Sequence, residues 1–132
     1  MTPHARTEDI LTESVGNELI LYDRKTQKAH RLNETAAFVW RHCDGTKTVA
    51  DLTGLLHAEL GTPEDQVLVS LALDRLQAGD LLQTPLSAQA VSRRDAIKRL
   101  RAVGIVTALI PVVASIAVPL PAAADSGSGG IF

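Results

Sequence analysis

Cysteine is almost missing from this 132-residue chain: Cys43 stands alone, so neither an intrachain disulfide nor a cysteine metal cluster can form, and a reducing compartment fits. Aromatic residues are scarce too, with one Trp, one Tyr and two Phe, so a core has to be built from Leu, Val, Ile and Ala. Catalytic patterns are lacking. The histidines His4, His30, His42 and His57 form no His-x-x-x-His and stand beside no carboxylate pair at ligand spacing, which leaves no recognisable zinc site or acid–base set. No glycine-rich phosphate loop follows a strand, because Gly127, Gly129 and Gly130 lie in the terminal tail. A chain without enzymatic activity, metal or cofactor is expected.

Length allows one small domain and an appendage rather than two full cores. The net charge of −2 conceals two unlike parts, since residues 1–90 sum to −5 and residues 91–132 to +3. Five regions follow. Residues 1–13 read as a flexible arm, 14–83 as the domain, 84–91 as a linker, 92–124 as a basic and then apolar helix, and 125–132 as a flexible Gly/Ser tail.

Within the domain, a weak strand near Ser14–Gly16 precedes Glu18–Asp23 and Lys28–Leu32, two runs joined by the polar turn Arg24–Gln27. Three helices follow. Asn33 stands at an N-cap position before Glu34–His42, and Asp44-Gly45 stops that helix. Thr48 opens a second, Val49–Leu60, with Leu52, Leu55, Leu56 and Leu60 at helical spacing and Gly61 as its stop. Thr62 as N-cap, with Pro63, Glu64 and Asp65 in the first turn, predicts a third helix ending near Ala78-Gly79. Its apolar face is Val69, Ala72, Leu73 and Leu76, while Leu68 and Leu71 lie with Arg75 on an adjacent stripe. That stripe reads either as a wide core face or as a groove wall. Cys43, at a helix end, is expected to be a small buried residue. A reactive thiol needs a basic, exposed setting, for which Arg41 and His42 are the only neighbours in sequence.

Leu32-Asn33-Glu34-Thr35-Ala36, the turn Cys43-Asp44-Gly45, Thr48-Val49-Ala50-Asp51-Leu52, Leu73-Asp74-Arg75-Leu76 and Asp80-Leu81-Leu82 occur in this order. Together they resemble the PqqD family, the recognition elements that hold the leader of a ribosomally made peptide for a modifying enzyme. The resemblance covers about residues 14–83. It implies an α+β, winged helix-turn-helix-like domain of three short antiparallel strands and three helices, with a precursor (leader) peptide and a peptide-modifying enzyme as partners. It further implies that the leader lies as an extra strand beside the strand preceding Leu-Asn, against the last long helix.

A sheet this small cannot bury both of its edges, and an open edge offers unpaired N–H and C=O groups to an extended chain. The docking rail expected here is Lys28, Ala29, His30, Arg31 and Leu32, and the wall expected from helical spacing is Leu68, Leu71 and Arg75. Lys28 or Arg31 could meet leader carboxylates. The same order of elements is compatible with a DNA-binding winged helix, but residues 63–78 offer Arg75 alone against Glu64, Asp65 and Asp74, so no nucleic-acid partner is expected.

After the linker, Ser92-Arg93-Arg94-Asp95-Ala96-Ile97-Lys98 is similar to a twin-arginine motif, with Ala96 where that motif has Phe. An uncharged run of 23 residues, Ala102–Ala124, then ends on Ala122-Ala123-Ala124, the small-residue form of an export cleavage site at Ala122 and Ala124. The run is long enough to span a membrane as an apolar helix, and its basic flank would hold the domain cytoplasmic, tethered to the inner membrane through 102–124. A helix packed on the domain's own or a partner's apolar surface is the plainer reading. A fused precursor is the alternative function: residues 14–83 serve as leader for a C-terminal peptide that is cleaved or exported.

Overall fold

The computed structural model describes residues 2–83, 98 and 109–118. Its elements in chain order are β1 (Ile10–Val15), β2 (Glu18–Asp23), β3 (Lys28–Leu32), α1 (Glu34–His42), α2 (Val49–Leu60), α3 (Gln66–Ala78) and β4 (Val113–Ala117). The strands form one antiparallel sheet in the order β1-β2-β3-β4. Gly16, at φ 61°, takes the first position of the two-residue turn between β1 and β2, where a positive φ matches the twist of the strands.

Alternation along β2 points Leu19, Leu21 and Asp23 inward, and in β3 His30 and Leu32 share that face. The three helices cover it. α1 packs on β2 and β3, and α3 lies against both α1 and α2. The core is aliphatic, with Leu21, Leu32, Val39, Leu56, Leu73 and Leu76 all buried. The opposite face of the sheet stays in water, where Leu11, Val15 and Ile116 are exposed.

Helix ends follow from their caps. Asn33 Oδ1 accepts from Ala36 N to start α1, and Thr48 and Asp51 form a reciprocal capping box for α2, which Gly61 closes at φ 68°. α3 starts later than Thr62 predicts. Asp65 is its N-cap, accepting from Val67 N, because a carboxylate is the better cap and Thr62 is itself buried, its carbonyl 2.6 Å from His57 Nδ1.

Residues 1–13, expected as a loose arm, are bound into the fold over much of their described length. β1 begins at Ile10, and His4 and Ala5 bridge to Asp44 and Leu82. Arg6 reaches under the sheet to Asp23, 2.8 Å away, while Asp23 also accepts from the amides of Lys25 and Thr26 and so holds the β2–β3 turn. Burial alone would raise the Asp23 carboxyl, but Arg6 and the turn amides outweigh it and hold it at about 2.

Two further expectations need correction. The antiparallel sheet has four strands rather than three, because Val113–Ala117 joins the edge of β3 after the three helices. The apolar run 102–124 is not one helix, since Val113–Ala117 is a strand. Pro111 lacks the N–H that a helix needs, and the β-branched Val112, Val113 and Ile116 favour a pleated chain. Among the described residues no helix is long and apolar enough to cross a membrane. The linker 84–91, the tail 125–132 and most of 92–108 lie outside the described residues.

Because the native Asp23 carboxyl is depressed, its stabilisation is complete above about pH 4 and is lost as pH falls towards about 2. Asp23→Asn, which strands Arg6 beside an uncharged group, should cost about 3 kcal/mol. Urea unfolding from pH 7 down to pH 2.5 checks both, with the variant losing less stability across that window than the parent.

Candidate functional site

β3 turns straight into α1 at Asn33, so the strand's outer edge and the helix N-terminus meet at one residue. That edge is filled. β4 runs antiparallel to β3 with Lys28 opposite Ala117, His30 opposite Ser115 and Leu32 opposite Val113. Asn33 N donates to Val112 O at 3.1 Å at one end of the ladder, and Val118 N donates to Gln27 O at 2.8 Å at the other. The rail expected as open from Lys28 to Leu32 therefore has strands on both sides, the second drawn from the chain's own C-terminal part.

Asn33 grips this strand with its side chain as well. Its Oδ1 accepts from Val112 N at 3.0 Å while capping Ala36 N at 3.1 Å, and its Nδ2 donates to Ile110 O at 2.8 Å. The amide's two ends thus fix both the donor and the acceptor of a two-residue step.

His30 supplies the second side-chain contact, with Nδ1 2.7 Å from Ser115 Oγ. The ring is 1 % exposed, and burial lowers its pKa, with Asp23 only partly opposing this, so imidazole rather than imidazolium faces the serine. Gly79 lies beside it, where a Cβ would stand at van der Waals contact, 3.4 Å from ring atoms Cε1 and Nδ1. A cleft of about 160 Å³ opens beside this pair between the end of α3 and β4, lined by Arg75, Ala78, Gly79, Val113 and Ser115. Arg75 Nε is buried there without a hydrogen-bond partner among the described residues.

Of the expected site residues, Lys28 to Leu32 and Arg75 come together around β4. Leu68 and Leu71 do not. They are 1 % and 3 % exposed, because the three helices pack on one another and α3 buries flanks against both α1 and α2. For Leu68 and Leu71 the wide core face is the correct account. Arg31 points to the solvent face, where its guanidinium is paired with Glu18 rather than directed at a guest. Ala122 and Ala124 lie outside the described residues.

Sequence reasoning missed Asn33, Ser115 and Gly79. Asn33 was legible only as a helix cap, and its second duty needs a strand that the uncharged run from 102 concealed. Cys43 is buried, and burial first, then Asp44, pushes its thiol up to about 12, a setting that suppresses thiolate chemistry.

Residues 18–82 match the family model of Coenzyme PQQ synthesis protein D (PqqD). The match runs from the start of β2 to just beyond α3, leaving out β4. No curated protein and no solved structure matches the chain.

Asn33→Ala loses the α1 cap together with the side-chain hold on Ile110 and Val112, and should lower stability by about 2 kcal/mol. Asn33→Asp keeps the cap oxygen but turns a carboxylate towards Ile110 O, and should cost about 1 kcal/mol less than the alanine variant. Urea melts of the two variants measure the difference.

Proposed function

We propose that this protein is a noncatalytic peptide-binding adaptor that takes an extended peptide as an added antiparallel strand on β3 and presents it to a peptide-modifying enzyme. The observation that carries the reading is the β3–β4 ladder: this edge, with Asn33 at its end and the Arg75 cleft beside it, accepts a strand from a segment remote in sequence. Backbone bonds supply affinity in such an arrangement, and side-chain contacts next to the ladder supply choice. The PqqD match over the domain supports the same role, with the leader of a ribosomally made precursor as the guest class and the cytoplasm, where such precursors are made, as the place of action.

A second reading is favoured by the origin of β4 in the same chain. The protein would then be a fused precursor, its domain holding residues 110–118 while the sequence beyond them is matured, with cleavage at Ala122 or Ala124 releasing the tail from Asp125 to Phe132. Mass spectrometry of the protein from its native cells distinguishes the two: trimming after Ala124 supports the fusion, and a C-terminus intact through Phe132 removes it.

The docking reading is tested with a synthetic peptide of the sequence Leu109–Val118 and the full chain carrying Ile116→Pro. Proline at 116 deletes a ladder donor from an exposed position and should free the β3 edge. Saturable binding with NMR shift changes at Ala29, Arg31 and Arg75 is expected. Absence of binding, or changes confined to other surfaces, refutes docking on β3.

A further inference from the structure

The sheet's two flanking strands are held by different means. β2 buries Leu19, Leu21 and Asp23 beneath the helices, so the core requires it. Within β4 no side chain is fully buried, Val113 being half-buried and Ala114, Ser115, Ile116 and Ala117 exposed; the apolar hold of this segment lies at its start, where Pro111 is buried and Ile110 packs with Val113 against the core. Leu32 and His30, the β3 residues paired with Val113 and Ser115, are buried on a face that α1 packs against and that the end of α3 reaches at Gly79. Freeing Ala114 to Ala117 would therefore expose little apolar surface, at about 25 cal/mol per Å², and the apolar cost of release is confined to Ile110, Pro111 and Val113.

Polar contacts replace the missing burial, and they are specific to position. The Asn33 amide holds Ile110 O and Val112 N, its backbone N–H holds Val112 O, His30 meets Ser115, and Gln27 O receives Val118 N. A slip by one residue along the edge would turn the N–H and C=O groups that Asn33 holds to the far side of the strand and leave its amide without those partners. It would also take the Ser115 hydroxyl away from the buried His30 ring and leave that polar atom unpaired. Pro111 lies between the two residues that Asn33 holds, where a missing N–H costs nothing.

We infer that residues 110–118 are a built-in guest of the peptide-docking edge, set in register by Asn33 and read at Ser115 by His30, and that a peptide arriving from outside binds only by displacing them. The inference rests on the docking function proposed above and specifies its occupant. Tethering makes that occupant hard to compete with, since covalent attachment to the domain gives it an effective concentration on the order of millimolar. A free peptide therefore faces a barrier set by the domain's own chain. The chemistry to which the groove is matched is also defined: an aliphatic residue, proline, two aliphatic residues, and a hydroxyl two positions later.

Hydrogen exchange on the full chain tests this directly, because alternate β3 amides face opposite neighbours. Asn33 N–H bonds to Val112, so the Ala29 and Arg31 amides also face β4, while those of His30 and Leu32 face β2. In the parent chain all four amides should be protected. In Ile116→Pro, and independently in Asn33→Asp, Ala29 and Arg31 should lose protection while His30 and Leu32 keep it, showing that the domain stays folded. The Leu109–Val118 peptide should bind Ile116→Pro at least about tenfold more tightly than it binds the parent. Free exchange at Ala29 and Arg31 in the parent, with equal peptide affinity for both chains, overturns the built-in guest and leaves peptide docking intact. Protection of all four amides with no peptide bound by either chain overturns docking itself and makes β4 an ordinary fourth strand.

Discussion

Asn33 is the joint on which the molecule turns. A single carboxamide ends a strand, opens a helix and holds a second segment of chain, and it can do so because an amide carries donors and an acceptor with two lone pairs on one rigid plane. Its Oδ1 is shared between Ala36 N and Val112 N, so order in α1 and order in the docked strand depend on the same rotamer. Rigid α1 in turn positions Trp40, whose indole N–H donates to Leu81 O and ties the chain leaving α3 back to the core. Precision at the edge is thus inherited from helix packing rather than built in the loops.

Much of this domain was legible in the order of residues, where local chemistry decides. Thr48 with Asp51, and Gly61 with its left-handed backbone, bound α2 at the residues expected, and Asn33 bounds α1 likewise. Polar alternation placed β2 and β3. What could not be read depends on tertiary partners. Leu68 and Leu71 look surplus on a helix assumed to bury one face, and only the packing of α3 against both other helices absorbs them. The N-terminal arm has no periodicity because it is held by bridges at His4 and Ala5 and by one buried ion pair, none of which leaves a repeat.

The C-terminal segment shows the same limit in sharper form. A run without charge reads as a helix for lipid when length alone is weighed, yet Pro111 and the β-branched residues after it already favour extended chain. Hydropathy measures what water rejects, not what backbone geometry allows. The docked strand also explains how the Arg75 region acquires chemical character: a cationic side chain and a serine hydroxyl line one small cleft, and the serine is held in turn by the buried ring of His30.

Pairing by main chain does not distinguish whose main chain is supplied. Nothing in the Asn33 grip refers to the connection between the domain and residues 110–118, so the closure that one molecule makes with itself is also available to two molecules exchanging arms. Dilution favours the self-closed monomer and crowding favours the reciprocal pair, with identical bonds in both. Among the described residues the far side of β4 has no strand beside it, which makes the rim of this sheet a surface whose occupancy, not its shape, sets how many chains assemble.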